Sequence, residues 1–169
     1  MFRFFLCLNV LILFIYSCSN KDVNVVYQIN TTNIKLDSLE FTSFADTIIC
    51  DMVVKNPDPE DMWTEKWLKQ LKRKEFIDII FNEIYKCRLV AYDYYTNKIL
   101  QPSDVKKIEK QSDFNRNIIG KFQFNETWYY DNKNHSFIKK VNSIIFGYET
   151  YDDKGYVKGY KPLFKIVLN

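Results

Sequence analysis

One stretch, Ile118 to Ile145, limits most sharply what this chain can fold into. Two arms rich in aromatic and β-branched residues flank the polar run Asn132-Lys133-Asn134-His135-Ser136. That is the pattern of two paired strands around a turn. Period two places Phe122, Phe124, Glu126 and Trp128 on one face. Gln123, Asn125, Thr127 and Tyr129 take the other. An isolated hairpin is at best marginal in water, so the apolar face needs a cover. The helical segment upstream is the candidate cover. The second face, Gln123, Asn125, Thr127 and Tyr129, is the candidate interaction face, met by a partner or by solvent.

The rest of the chain supplies that cover and more strands. Thr47–Val54 is β-branched enough for a strand, and Lys55-Asn56-Pro57-Asp58-Pro59 ends it. Glu60 and Asp61 open a helix in which Trp63, Trp67, Leu68 and Leu71 recur at helical spacing. Lys69, Lys72, Arg73 and Lys74 are expected at its C-terminal end, where the helix dipole favours positive charge. The plain reading of that cluster is a solvated helix end; the functional alternative is contact with anionic lipid. A second helix carries the wide stripe Phe76, Ile77, Ile80, Phe81, Ile84 and Tyr85, which reads as core. Leu89–Asp93 is a short strand. Val105–Lys110 is a third helix, with Ser103 as its expected N-cap. After the hairpin, Asp152-Asp153-Lys154-Gly155 forms a turn into a last strand, Tyr160–Leu168. This order predicts an α+β fold: two to three helices packed on one face of a small antiparallel sheet ending in a three-stranded meander.

The N-terminus predicts the compartment. Arg3 precedes an apolar run that ends at Ser17, as in a secretory signal peptide. Ile15-Tyr16-Ser17-Cys18 resembles the lipobox of bacterial lipoproteins, which implies that Cys18 becomes the lipidated first residue. The alternative is an ordinary signal peptide in which Cys18 is incidental. The organisation is then 1–17 signal peptide, 18–37 lipidated Cys and polar tether, and 38–169 a single α+β domain. Several acyl chains would hold the protein stably at a membrane, where one would not. The expected location is the bacterial cell envelope, at the outer membrane facing the periplasm, with an envelope protein as partner. Export also permits a disulfide between Cys50 and Cys87, with two separately buried thiols the alternative.

Composition narrows the function. The net charge of +3 is spread along the chain without a basic block, so nucleic acid is not an expected partner. There is no nucleophile elbow, phosphate-binding glycine loop or H-E-x-x-H. With Cys7 in the expected signal peptide and Cys18 acylated, the single histidine, His135, and the two remaining cysteines, Cys50 and Cys87, make a poor metal site. No catalytic residue, metal or cofactor is expected. Glu126, Asp131, Asp152 and Asp153 are the carboxylates from which a hydrolytic pair would have to come. The aromatic residues Trp128, Tyr129, Tyr130, Tyr148, Tyr151, Tyr156 and Tyr160 could instead serve as stacking platforms for a glycan.

Two stretches resemble the N subunit of the periplasmic ring of the type IX secretion and gliding-motility machinery. One is the amphipathic helix Phe76–Lys86 followed by Ala91-Tyr92-Asp93. The other is Glu126-Thr127-Trp128-Tyr129-Tyr130-Asp131-Asn132-Lys133, then Val141–Ile145, and finally Pro162-Leu163-Phe164-Lys165-Ile166. The order and spacing agree over about Trp63 to Ile166. Phe146-Gly147 stand where the family has a proline, Lys165 stands where an aromatic follows Leu-Phe, and the lipobox is on this chain rather than on a partner subunit. The resemblance therefore implies a divergent, lipoprotein-like variant with a scaffold or interaction role and no enzyme activity.

Overall fold

The computed structural model describes residues 40–168. The expected signal peptide (1–17), Cys18 and the tether (18–37) lie outside the described residues.

The long strands follow the β-branched and aromatic runs. In chain order the elements are β1 (Phe41–Val53), α1 (Met62–Leu68), α2 (Arg73–Tyr85), β2 (Ala91–Tyr92), β3 (Ile99–Leu100), α3 (Pro102–Glu109), β4 (Ile119–Asp131), β5 (Ser136–Tyr151) and β6 (Val157–Val167). A short 3-10 turn, Arg116–Ile118, leads into β4. The six strands form one sheet in the order β1-β4-β5-β6-β2-β3, and every neighbouring pair is antiparallel. The fold is the expected α+β one, with three helices and a β4-β5-β6 meander.

The core forms where the apolar face of the sheet meets α2 and α3. Phe122, Ile144, Phe146, Phe164 and Ile166 project from the meander and are buried. Ile77, Ile80, Phe81 and Ile84 reach down from α2, and Val105 from α3. Phe76 packs on Phe122 and Phe146 with ring centres 5.5 and 6.3 Å apart, and Phe81 packs on Phe164 at 5.4 Å. Arg116 ties the layer together from the 3-10 turn: it bonds Asp78 of α2 at 2.8 Å and Glu109 of α3, and lies 4.3 Å from the Phe81 ring.

Several local expectations shift. α1 ends at Leu68, so Arg73 and Lys74 begin α2 instead of closing α1. Positive charge at a helix start opposes the dipole. The structure offsets this by turning Arg73 to the Ile119 carbonyl at the start of β4 at 2.8 Å and pairing Lys74 with Asp78. α1 contributes no buried residue; Trp63 is 72 % and Trp67 80 % exposed. Their helical spacing therefore marks an outer stripe, while Leu71 packs against the core. α3 starts earlier than expected, with Pro102 at its first position and Gln101, not Ser103, at the N-cap. Asp104 accepts from the Gln101 backbone N–H at 3.2 Å. The last strand begins at Val157 and contains Pro162, which a central strand does not tolerate. Pro162 sits opposite Gly147 at a register irregularity between β5 and β6, where the lost N–H is harmless. Cys50 on β1 and Cys87 beyond α2 are free and exposed, so in the structure they form neither the candidate disulfide nor two buried thiols.

Candidate functional site

Residues on β4 alternate as the sequence requires, so one face is buried and the other remains open. Phe122 faces the core, whereas Gln123 and Asn125 lie on the side away from α2 and α3. The strand neighbours fix these side chains. Gln123 donates to Asp51 Oδ1 at 2.7 Å, and Lys121 pairs with Asp51 Oδ2 at 2.6 Å. The Lys121 and Gln123 hydrogen bonds hold the Asp51 carboxyl below the usual carboxylate range. Thr127 donates to the Asp46 carbonyl at 2.9 Å and accepts from Asn142 at 2.8 Å. Asn142 is available because it is the extra residue where β5 slips one position against β4. Tyr129 lies farther out, between Ser43 and Ile138.

A loop between β2 and β3 gives this face its relief. Asp93 accepts from the Thr96 N–H at 2.7 Å and the Thr96 hydroxyl at 2.6 Å, closing a tight turn. Lys165 of β6 donates to Asn97 Oδ1 at 2.6 Å and fixes the loop to the sheet. Tyr94 and Tyr95, edge to face at 5.1 Å, are held over the open face and are 42 % and 75 % exposed. Two hollows of about 230 Å³ result. Tyr94, Tyr95, Lys121, Ile145 and Tyr160 line one; Tyr94, Ile49, Asn125, Ser143 and Lys165 line the other. Gln123 borders both. Of the four residues expected to form an interaction face, Gln123 and Asn125 line the hollows, Thr127 is bound into the sheet frame, and Tyr129 lies outside them.

A buried polar cluster adjoins the first hollow through Tyr160. Glu149 stands opposite Tyr160 on β5, with no side-chain exposure. One carboxylate oxygen meets Lys55 and accepts from the Tyr151 hydroxyl at 2.5 Å. The other oxygen and the Tyr160 hydroxyl are buried with no protein partner among the described residues. Gly120 is needed here, because a Cβ would lie 2.9 Å from both Glu149 and Tyr160. Burial and then the Glu149 charge push the Tyr160 hydroxyl up.

Tyr151 is pushed up to about 12, first by desolvation and then by its bond to Glu149, although 45 % of the whole residue is exposed. The folded protein then keeps a proton that the unfolded chain has lost. This stabilisation is complete below the ordinary tyrosine range near 10 and disappears as pH rises towards 12. Alkaline absorbance titration should show a late tyrosine that shifts back towards the ordinary range in Glu149→Gln; an unchanged curve would remove Glu149 as the cause.

Three of the four carboxylates considered for hydrolysis, Glu126, Asp131 and Asp152, have structural roles. Glu126 accepts from the Trp128 indole at 2.7 Å. Asp131 accepts from the Lys133 and Asn134 backbone N–H groups at 2.9 Å, which holds the hairpin turn and, with the Asn134 side chain, lowers its own pKa. Asp152 accepts from the Lys154 and Tyr156 N–H groups in the last turn, where Gly155 adopts φ +84°. The proposed stacking aromatics are divided. Trp128 lies beneath Phe44 and Lys139 at the hairpin's far end, Tyr148 packs on Phe114, and Tyr160 alone of the set lines a hollow. Tyr94, Tyr95 and Lys121 were not recognised as site residues in the sequence; the Asp93-x-x-Thr96 turn was the available signal. No helix among the described residues is long and apolar enough to cross a membrane. No family model and no curated protein matches this chain.

Proposed function

We propose that this protein is a membrane-anchored envelope lipoprotein whose folded domain binds a partner protein through the open face of its sheet. The observation that carries this reading is the Tyr94–Tyr95 loop over that face. It combines exposed aromatic rings, pinned polar side chains and two shallow hollows, the composition of a protein interface centre. Each hollow is smaller than the ~300–1,000 Å³ usual for a small-molecule site. Each suits one protruding side chain better than an enclosed substrate. Lys165, whose ammonium hydrogen-bonds only the neutral Asn97 amide among the described residues, favours a partner segment that carries carboxylates beside apolar residues. The sequence resemblance points to the secretion and gliding apparatus as the assembly in which that partner belongs.

A photo-cross-linking residue at exposed Lys161 tests this in the native envelope. The expected product is an adduct with an envelope protein, reduced about tenfold or more by Tyr94→Ala with Tyr95→Ala. An adduct with polysaccharide alone would favour a glycan-binding role, for which Tyr94 and Tyr160 supply the stacking rings. Absence of any macromolecular adduct would count against both.

A further inference from the structure

We infer that α1 is a second membrane contact, lying in the interface of an anionic phospholipid bilayer. The helix has seven residues and buries none of them. Isolated helices of this length are unstable in water. Its inner side explains why it persists: Asp61 accepts from the Trp63 and Thr64 backbone N–H groups at 3.0 and 3.1 Å, and Asn56 donates to the Asp61 carbonyl at 3.0 Å. Leu71, just beyond it, reaches the core. The outer side has no such explanation. Met62, Trp63 and Trp67 are 71, 72 and 80 % exposed, and Trp63 and Trp67 share one face at i, i+4.

Charge selects the occupant. Lys66 lies 5.7 Å from the Trp63 ring centre, and Lys69 and Lys72 are exposed just beyond. The acids lie at the start of the helix or are used locally: Asp61 caps it, Asp58 accepts from the Glu60 N–H in the turn before it, and Glu65 is 3.4 Å from the Asn56 amide, so the lysines dominate its C-terminal side. Indole rings and lysines together fit the headgroup zone, where the rings enter the acyl boundary and ammonium groups meet phosphates. A partner helix would call for a longer apolar stripe than the seven residues of α1 present, and Lys66 lies against the Trp63 ring within it. Reach supports the same occupant, and this step rests on the lipoprotein reading. The chain from Cys18 to Glu40 spans at most about 75 Å, more than the roughly 43 Å of β1 between Glu40 and the α1 end, so an acylated Cys18 lets α1 reach the same surface. A weak contact then suffices to orient the domain.

The test uses the mature chain from residue 18 with Cys18→Ala, so that no acyl chain contributes. Trp128→Phe leaves Trp63 and Trp67 as the sole indoles. Vesicles of phosphatidylglycerol and phosphatidylcholine should shift their emission to the blue, and brominated acyl chains should quench it. Partition should fall about tenfold or more on pure phosphatidylcholine, or with Lys66→Gln and Lys69→Gln. Co-sedimentation should be lost in Trp63→Ser with Trp67→Ser. The lysine pair keeps the test valid if the tryptophan variant misfolds. Unquenched emission on anionic vesicles, or equal sedimentation of the variants, would overturn the inference. Palmitate labelling of Cys18 is a separate measurement, so failure of the anchor and failure of α1 are distinguishable.

Discussion

Phe146→Ala should lower the unfolding free energy by about 3–5 kcal/mol, a large fraction of the roughly 5–15 kcal/mol that holds a domain folded. Phe146 is fully buried at the centre of the meander. On one side it is opposite Phe122 of β4, and on the other Phe164 of β6, with ring centres 5.0 and 5.2 Å away. Phe76 of α2 closes over it at 6.3 Å. Three hydrogen-bonded strands cannot move together to refill the space, so most of the cavity would remain. Urea unfolding should show a lower midpoint with an unchanged slope. If Phe146→Ala does not fold, Phe146→Leu should still lose more than Phe137→Ala. Phe137 is 56 % exposed on the hairpin arm, and its removal should cost less than about 1 kcal/mol. Equal losses at the two positions would mean that the core has been placed wrongly.

That contrast shows what periodicity can reveal. The alternation of Phe122, Gln123, Phe124 and Asn125 fixed which side of β4 faces the helices, and the Phe76–Tyr85 stripe identified the helix that covers it. Both signals are local. Periodicity also identified Trp63 and Trp67 as a stripe, but it cannot say whether a stripe turns towards the protein or away from it. Asp61 and Asn56 fix that orientation through backbone bonds that leave no pattern in hydropathy. The pairing of β1 with β4, and of β2 with β6, joins residues far apart in sequence and was not legible. The site depends on those pairings. Asp51 reaches Lys121 and Gln123 only because β1 is an edge strand beside β4. Tyr94 and Tyr95 reach the open face only because β2 docks on β6. The expected face was thus read correctly as a face, while its relief and charge came from elsewhere in the chain.

Lys55→Met should cost about 2–4 kcal/mol, somewhat less than the 3–5 typical for breaking a fully buried pair, because a third of the Lys55 side chain is exposed. Lys55 follows β1 directly, and the Val54 N–H donates to the Gly120 carbonyl at 2.8 Å, fixing the chain beside β4 at this point. Its ammonium meets Glu149, whose side chain has no solvent exposure. Without it, a carboxylate would remain buried with only the Tyr151 hydroxyl on one oxygen and nothing on the other. Water cannot easily reach it, since the Glu149 side chain has no solvent exposure and its second oxygen is buried. Removing the charge should relieve the defect. Glu149→Gln in the Lys55→Met background should recover more than half of the loss, because an amide can still accept from Tyr151 and leaves no uncompensated charge. The double-mutant cycle should therefore give a coupling of about 1–3 kcal/mol. A coupling below about 0.5 kcal/mol would class the pair with solvent-exposed ion pairs and would deny Glu149 a structural role. A large coupling would mean that the Lys55 charge, carried on the proline-rich break after β1, holds the wall of the first hollow through Glu149 and Tyr160. Loosening it should then weaken partner binding at Tyr94 and Tyr95 without altering either ring.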